Sequence, residues 1–169
     1  MALYMIFNGA ASGAAQPVVV TTGTAIKTLL QVASSATITA RIVEWGVSFD
    51  GSAAAAPIKV ELLETSGAAT VTASVSADIC KMDAAALAGG DPVTNLLPVG
   101  TTSTGYTASG EGTPGTCRTW DVQLIAPTNQ YIKQFPLGRE PVIQISKFAR
   151  IRVTAAAAVN AYCYMVVEV

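Results

Sequence analysis

Hydrophobic and polar residues alternate along most of this chain, which is the period of a β-strand and not that of a helix. The clearest example extends over residues 38–49. Its apolar positions fall first on even numbers, as in Ile42, and then on odd ones from Val43 onward. A change of phase inside one extended run predicts a β-bulge or a strand that passes between sheets.

A turn at residues 50–52 and a loop at 53–56 follow this run, and Pro57 opens the next strand. That strand alternates again, with Glu61 and Glu64 in positions that we interpret as solvated. Two strands joined by a short connection are typical of a hairpin. The pattern therefore predicts that residues 38–64 form one long hairpin-like unit.

Shorter runs predict further strands, whereas helix is attractive only at residues 83–87, before Gly89-Gly90. Eight to ten strands with minimal helix predict an all-β fold, an antiparallel two-sheet β-sandwich that is jelly-roll-like. We expect one domain overall. Residues 36–169 form the sandwich, and residues 1–35 are either its first strands or an N-terminal arm that adds a strand to a neighbouring subunit. The further strands are predicted at residues 70–76, 104–109, 119–124, 130–135, 141–145, 148–153 and 161–167.

The phase of each strand also predicts which side chains face the core. Trp45 shares its phase with neighbouring valines, and Trp120 shares its phase with Val122 and Leu124, so both tryptophans are predicted to be core residues and not sugar platforms. Arg150 and Arg152 are predicted on the solvated face of their strand.

Four aromatic residues are candidates for an interface between subunits. Tyr162 and Tyr164 alternate with Cys163 and therefore face either solvent or a partner if the cysteine faces the core. Tyrosine suits an interface because it buries a large area and keeps a polar tip. The candidate interface residues are Tyr4, Phe7, Tyr162 and Tyr164.

Composition changes the picture, because 51% of the residues are hydrophobic, only 12% are charged and histidine is absent. Soluble domains carry about a quarter charged residues, so a surface this poor in charge must be covered by something. A membrane is not expected, because the longest uncharged stretch, residues 1–26, is interrupted by glycine, proline and polar residues. The apolar residues are therefore expected to be buried in the core or in contacts with other subunits.

Charge and cysteine content limit the possible partners and cofactors. The net charge is −1 and no basic cluster is present, so no nucleic acid partner is expected. Three widely spaced cysteines without a secretory signal predict reduced thiols and no disulfide framework. No zinc spacing is present, and we expect no cofactor and no metal, although calcium between strands at Asp50, Asp91 or Asp121 stays open.

Catalysis by a Ser-His-Asp or Cys-His arrangement is excluded because the chain has no histidine. Glycoside hydrolysis needs two carboxylates, but spacing singles out no pair among Glu44, Asp50, Glu111 and Asp121. The glycine-rich stretch at 110–115 lacks a phosphate-loop motif and is interpreted as a mobile surface loop. No enzyme activity is predicted.

Four segments carry a resemblance to a known group of proteins: WGVSFDGSAAAAPIKVELLET (45–65), STGYTASGEGT (103–113), DVQLIAPTNQYIKQFPLGRE (121–140) and RIRVTAAAAVNAYCYMVVEV (150–169). They resemble tailed-bacteriophage virion structural proteins, in particular small jelly-roll capsid decoration and head-fibre proteins. The similarity extends over residues 36–169 and rests on strands and turns, so no functional residue is carried over.

The resemblance implies a non-enzymatic protein on the capsid surface of the virion, synthesised in the cytoplasm of the host bacterium. Its implied partners are the major capsid protein and further copies of itself, as a trimer. The function expected on this basis is a decoration protein that cements the assembled head. The alternative is a receptor- or carbohydrate-binding module of a head or tail fibre, with exposed aromatic residues at 91–116 or near Tyr131. A carboxylate enzyme that uses Glu111 or Asp121 is a third hypothesis.

Overall fold

The computed structural model describes residues 2–11, 17–52, 56–82 and 96–169. These residues form thirteen β-strands in two antiparallel sheets, together with one 3-10 turn, η1 (Ser76–Asp78). The predicted all-β, two-sheet class is confirmed. In chain order the strands are β1 (Leu3–Phe7), β2 (Val20–Thr21), β3 (Lys27–Ala33), β4 (Ala40–Phe49), β5 (Ile58–Thr65), β6 (Thr70–Ala73), β7 (Ile79–Lys81), β8 (Gly105–Gly110), β9 (Cys117–Ile125), β10 (Gln130–Gln134), β11 (Val142–Ile143), β12 (Phe148–Thr154) and β13 (Asn160–Glu168).

The two sheets enclose one main hydrophobic core. The seven-stranded sheet has the order β10-β4-β13-β1-β7, with β11 paired to β4 and β2 paired to β13. The six-stranded sheet has the order β6-β8-β3-β12-β5-β9. Alternate residues of each strand point between the sheets, where Trp45, Leu62 and Met165 are fully buried.

Eight strands pair in a nested order. β1 pairs with β13, β3 with β12, β4 with β10 and β5 with β9, which is the pairing of one long hairpin. Successive pairs alternate between the two sheets, so β4 and β5 lie in different sheets. The hairpin-like unit predicted at residues 38–64 is therefore wrong, because alternation identifies a strand and not the strand to which it pairs.

Two of the bulges shift the faces of strands whose phase the sequence predicts. In β4, Val43 has no partner in β13, because Val166 pairs with Glu44 and Val167 with Ile42. The phase change predicted at Val43 is thus confirmed as a bulge. It lets the core receive Ile42 on one side of the shift and Trp45 on the other.

The second bulge, in β9, leaves Trp120 unpaired and half-buried against the core. Beyond it, Asp121 and Ile125 are buried, whereas Leu124 is 74% exposed and Val122 is also exposed. The predicted inward face of β9 is therefore wrong. β9 is an edge strand of its sheet, and Asp121 on its inner face accepts a hydrogen bond from Tyr131 and pairs with Lys133, which joins β9 to β10 at the side of the sandwich.

The N-terminal strands belong to the same sandwich as the rest of the chain. β1 lies between β13 and β7, and β3 lies between β8 and β12. Both edges of β1 are therefore paired within the chain, which leaves no edge for the addition of this strand to a neighbour. Tyr4 on β1 is 1% exposed and packs in the core.

Strands predicted in the second half of the chain correspond to β8, β10, β11, β12 and β13, and β6 occupies the predicted strand at 70–76. The helix predicted at 83–87 and the candidate calcium ligand Asp91 lie outside the described residues. No helix within the described ranges has the length and apolar character needed to cross a membrane.

Candidate functional site

A groove crosses the outer face of the seven-stranded sheet. Strand register builds it: Gln130, Ser48 and Tyr162 are cross-strand neighbours on β10, β4 and β13. Two residues further along each strand, a second row of cross-strand neighbours consists of Ile132, Gly46, Tyr164 and, on β1, Phe7. Small residues on β4 between larger residues on both sides leave a trough of about 400 Å³, which we call the tyrosine groove. Its wall and floor side chains are Phe7, Ser48, Gln130, Ile132, Tyr162 and Tyr164.

The ring of Tyr164 is held from three directions. It lies over Gly46, where an added Cβ would come within 2.6 Å of the ring. Phe7 packs beside it with ring centroids 6.2 Å apart, and the phenol donates a 2.5 Å hydrogen bond to Glu44. Burial, and then Glu44, raise the pKa of Tyr164 well above its usual value. This wall of the groove is therefore preorganised.

Tyr162 forms the more open end of the same wall. Its side chain is 38% exposed, and its phenol donates a 2.6 Å hydrogen bond to the carbonyl oxygen of Pro17, which borders the groove. Cys163, between the two tyrosines, is buried, and burial raises the pKa of its thiol well above the usual value. The alternation predicted for β13 is therefore confirmed.

Three of the four candidate interface residues meet in this groove, namely Phe7, Tyr162 and Tyr164. The prediction for the fourth residue, Tyr4, is wrong, because its side chain is buried in the core and cannot reach a partner. The sequence placed Tyr4 with the others as an aromatic residue of the first apolar run, but Tyr4 and Phe7 point to opposite faces of β1.

Sequence reasoning missed Ser48 and Gln130, the polar members of the groove. Neither side chain makes a hydrogen bond within the described part of the chain, although the two are cross-strand neighbours. Only the pairing of β10 with β4 brings them together. Their hydrogen-bonding capacity is available to a ligand.

The aromatic residues predicted to be exposed for sugar binding lie elsewhere and are half-buried. Tyr131 packs on Trp45 with ring centroids 5.3 Å apart and donates a 3.0 Å hydrogen bond to Asp121. Burial, and then Asp121, raise the pKa of Tyr131 to about 12. Tyr106 on β8 is also half-buried. Trp45 is a core residue, as predicted.

Most of the buried charged side chains among the described residues lie on the six-stranded sheet. Arg150 is 0% exposed and donates hydrogen bonds to the carbonyl oxygens of Glu111 and Gly67, which corrects its prediction as a solvated residue. The Glu111 carboxylate lies 3.6 Å from the guanidinium and accepts two hydrogen bonds from Thr28. The glycine-rich stretch at 110–115 is thus anchored over the sheet at Glu111.

Glu61 and Glu64 are also buried, not solvated as predicted. Glu64 accepts two hydrogen bonds from Arg118, and Glu61 pairs with Lys59 and Arg152 at 2.9 Å each. Burial acts to raise the pKa of Glu61, but the hydrogen bonds from its two cations outweigh burial and hold the pKa below its usual value. Alternation places Glu61 on the outer face of β5, but its ion pairs with Lys59 and Arg152 cover the carboxylate there.

The candidate catalytic carboxylates are each held by separate neighbours. Asp50 accepts hydrogen bonds from Asn160, Glu44 from Tyr164, and Asp121 from Tyr131 and Gln123. No group of three or more acidic or cysteine side chains that could hold a metal ion occurs among the described residues. The three thiols are free, with Cys80 and Cys117 exposed and Cys163 buried.

A second surface is formed by turns at one end of the sandwich. Hydrogen bonds from Ser34 to Lys147 and from Ser146 to Ser35 join the turns at 34–39 and 144–147. The loop at 135–141 lies beside the start of β4, through a hydrogen bond from Ile42 to Pro141. Met82 is at the same end, where it bonds to Leu3. We call this surface the loop end; its exposed apolar side chains are Ile38, Met82, Leu137 and Ile145.

Comparison with known proteins identifies no relative: no family model, curated protein or solved structure matches this chain.

Proposed function

We propose that this chain is a non-enzymatic structural protein of a bacteriophage virion, a capsid decoration protein that binds the assembled head and stabilises it. The observation that carries the proposal is the loop end, where four large apolar side chains stand exposed in turns. Leu137 is the extreme case, at 96% exposed. Exposed apolar side chains that share one end of a domain provide a surface that an assembly can cover.

The nested strand pairing supports the same proposal. A long hairpin that folds so that successive strand pairs alternate between two sheets is the arrangement of a jelly roll, a fold common in viral capsid proteins. We therefore propose that the sandwich is a jelly roll. The resemblance of residues 36–169 to phage virion proteins points in the same direction.

Stabilisation of the head follows from mass action. A protein that binds the assembled shell and not its dissociated subunits lowers the free energy of the shell. The proposed trimer would present three loop ends to the major capsid protein, which increases avidity without any new kind of contact. Closed cyclic assembly also accounts for the low charge of the chain, because subunit contacts cover apolar surface.

The test uses purified heads stripped of this protein and measures rebinding by co-sedimentation. Replacement of Leu137 by serine should weaken rebinding by about tenfold or more, because a leucine that becomes buried contributes about 1.5–3 kcal/mol. The matched control is Leu124→Ser, a similarly exposed leucine on the six-stranded sheet, away from the loop end. Both variants should keep the thermal stability of the wild type.

Equal rebinding of Leu137→Ser and wild type would remove the loop end as the docking surface. The absence of the protein from purified virions, or unchanged head stability after it is stripped, would contradict the decoration role itself. The mass of the native protein in solution tests the proposed trimer independently.

A further inference from the structure

The tyrosine groove is separate from the loop end, and the proposed head binding does not use it. We propose that this groove is a binding site for a neutral saccharide. At about 400 Å³, it falls within the roughly 300–1,000 Å³ typical of small-ligand sites. It lies on the face of the sheet, with Tyr162 and Tyr164 forming one wall.

The groove has one apolar wall and one polar end. A pyranose ring likewise has an apolar C–H face and polar hydroxyl groups at its edge. The C–H face of a sugar packs against an aromatic ring, while its hydroxyls need donors and acceptors. Tyr162 and Tyr164 supply the rings, and the amide of Gln130 both donates and accepts. The Ser48 hydroxyl adds a second polar contact beside the amide.

Charge favours a neutral ligand. Among the described residues that line the groove, none carries a charge. The Glu44 carboxylate lies two residues beyond Gly46 on β4 and already accepts a hydrogen bond from the Tyr164 hydroxyl. An acidic sugar or a phosphate would find no cation to offset its loss of hydration.

A peptide ligand is disfavoured by the position of the groove. Its floor is made by β4 and β13, and each is hydrogen-bonded to a strand on both sides. Extended peptides gain affinity by pairing with an open strand edge, and this floor has none. A ligand that bonds through its own hydroxyl groups suits the site better.

The proposal is tested first on an array that carries neutral glycans and, as counterparts, sialylated and sulfated glycans. We expect wild-type protein to bind neutral glycans in preference to acidic ones. The best neutral glycan is then titrated by saturation-transfer NMR. Tyr162→Ala should weaken binding about tenfold, through loss of the stacking surface, and Gln130→Ala should weaken it about fivefold, through loss of the amide.

The matched control is Gln134→Ala, which changes the same residue type on the same strand at an exposed position outside the groove. It should bind like the wild type, as should Leu137→Ser, so failure of head binding and failure of glycan binding are distinguishable. The proposal is overturned if no neutral glycan binds, if acidic glycans bind best, or if Tyr162→Ala and Gln130→Ala both bind like the wild type. Binding of an apolar peptide panel without any glycan would also overturn it.

Discussion

The outer faces of the two sheets differ in the charged side chains that they carry. On the outer face of the six-stranded sheet, Glu61 is buried in ion pairs and Arg150 is covered by the loop at Glu111. In the tyrosine groove of the seven-stranded sheet, rings and neutral polar groups line the surface. In a chain with only 12% charged residues, ion pairs of buried side chains therefore characterise one of the two outer faces. On the other sheet, the described residues that line the tyrosine groove are uncharged, which suits contact with a neutral ligand, whereas Arg41 and Glu44 lie elsewhere on that sheet.

The largest effect should come from the removal of the buried cation. Replacement of Arg150 by methionine keeps most of its volume but leaves Glu111 without its cation and frees the covering loop. We expect a loss of about 3 kcal/mol in the free energy of unfolding, measured by urea denaturation. Partial exposure of Glu111 and its bonds to Thr28 place the loss at the lower end of the range for buried pairs.

The control for this variant is Arg41→Met, an exposed arginine on the seven-stranded sheet. It should change stability by less than about 0.5 kcal/mol. Equal stability of the two variants would mean that the charges of the two sheets do not differ in the way described.

An intermediate effect is expected at the tyrosine groove. Gly46→Ala places a Cβ within 2.6 Å of the Tyr164 ring, so the ring must move. We expect a destabilisation of about 1.5 kcal/mol from overpacking and a loss of glycan binding by the groove. Thermal unfolding and the NMR titration measure the two effects.

Gly110→Ala, on β8 of the six-stranded sheet, is the matched control, because nothing lies within 4 Å of its added Cβ. This variant should be as stable as the wild type or slightly more stable. If Gly46→Ala leaves both stability and binding unchanged, then the fixed position of Tyr164 is not what shapes the groove.

The smallest effect is a dependence of stability on acid pH. The pKa of Glu61 is lowered: burial acts to raise it, but hydrogen bonds from Lys59 and Arg152 prevail. The same balance lowers the pKa of Asp121, where burial is outweighed by hydrogen bonds from Gln123, Lys133 and Tyr131. A carboxylate with a lowered pKa in the folded state contributes stability above its unfolded pKa and loses it as pH falls through the folded value.

With ordinary values of 4.5 for glutamate and 3.8 for aspartate, stability should decline as pH falls below about 4.5. Urea midpoints at a series of pH values measure the decline. Glu61→Gln should reduce the slope, since it removes one of the two groups. An unchanged slope in this variant would show that the ion pairs of Glu61 do not cause the acid sensitivity.

Some features of the groove were predictable and others were not. The positions of Tyr162 and Tyr164 follow from alternation with Cys163, because one face of a strand in a sandwich must be core. The predicted burial of Trp120 with Val122 and Leu124 fails, because the bulge in β9 and its edge position reverse the faces. Arg150 was predicted to be solvated because a local pattern does not show that a distant loop, at Glu111, covers it.

The sequence by itself determined the class of fold and most of its strands, since a period of two is a local property of an extended chain. It also determined the change of phase at Val43, which is local too, but the pairing of β4 with β13 decided that this change is a bulge and not a passage between sheets. Only the tertiary structure decided which strands pair, and therefore that β4 and β5 lie in different sheets. The tyrosine groove belongs to this second group: its walls come from β1, β10 and β13, and register across strands distant in the chain places Gln130 beside Ser48.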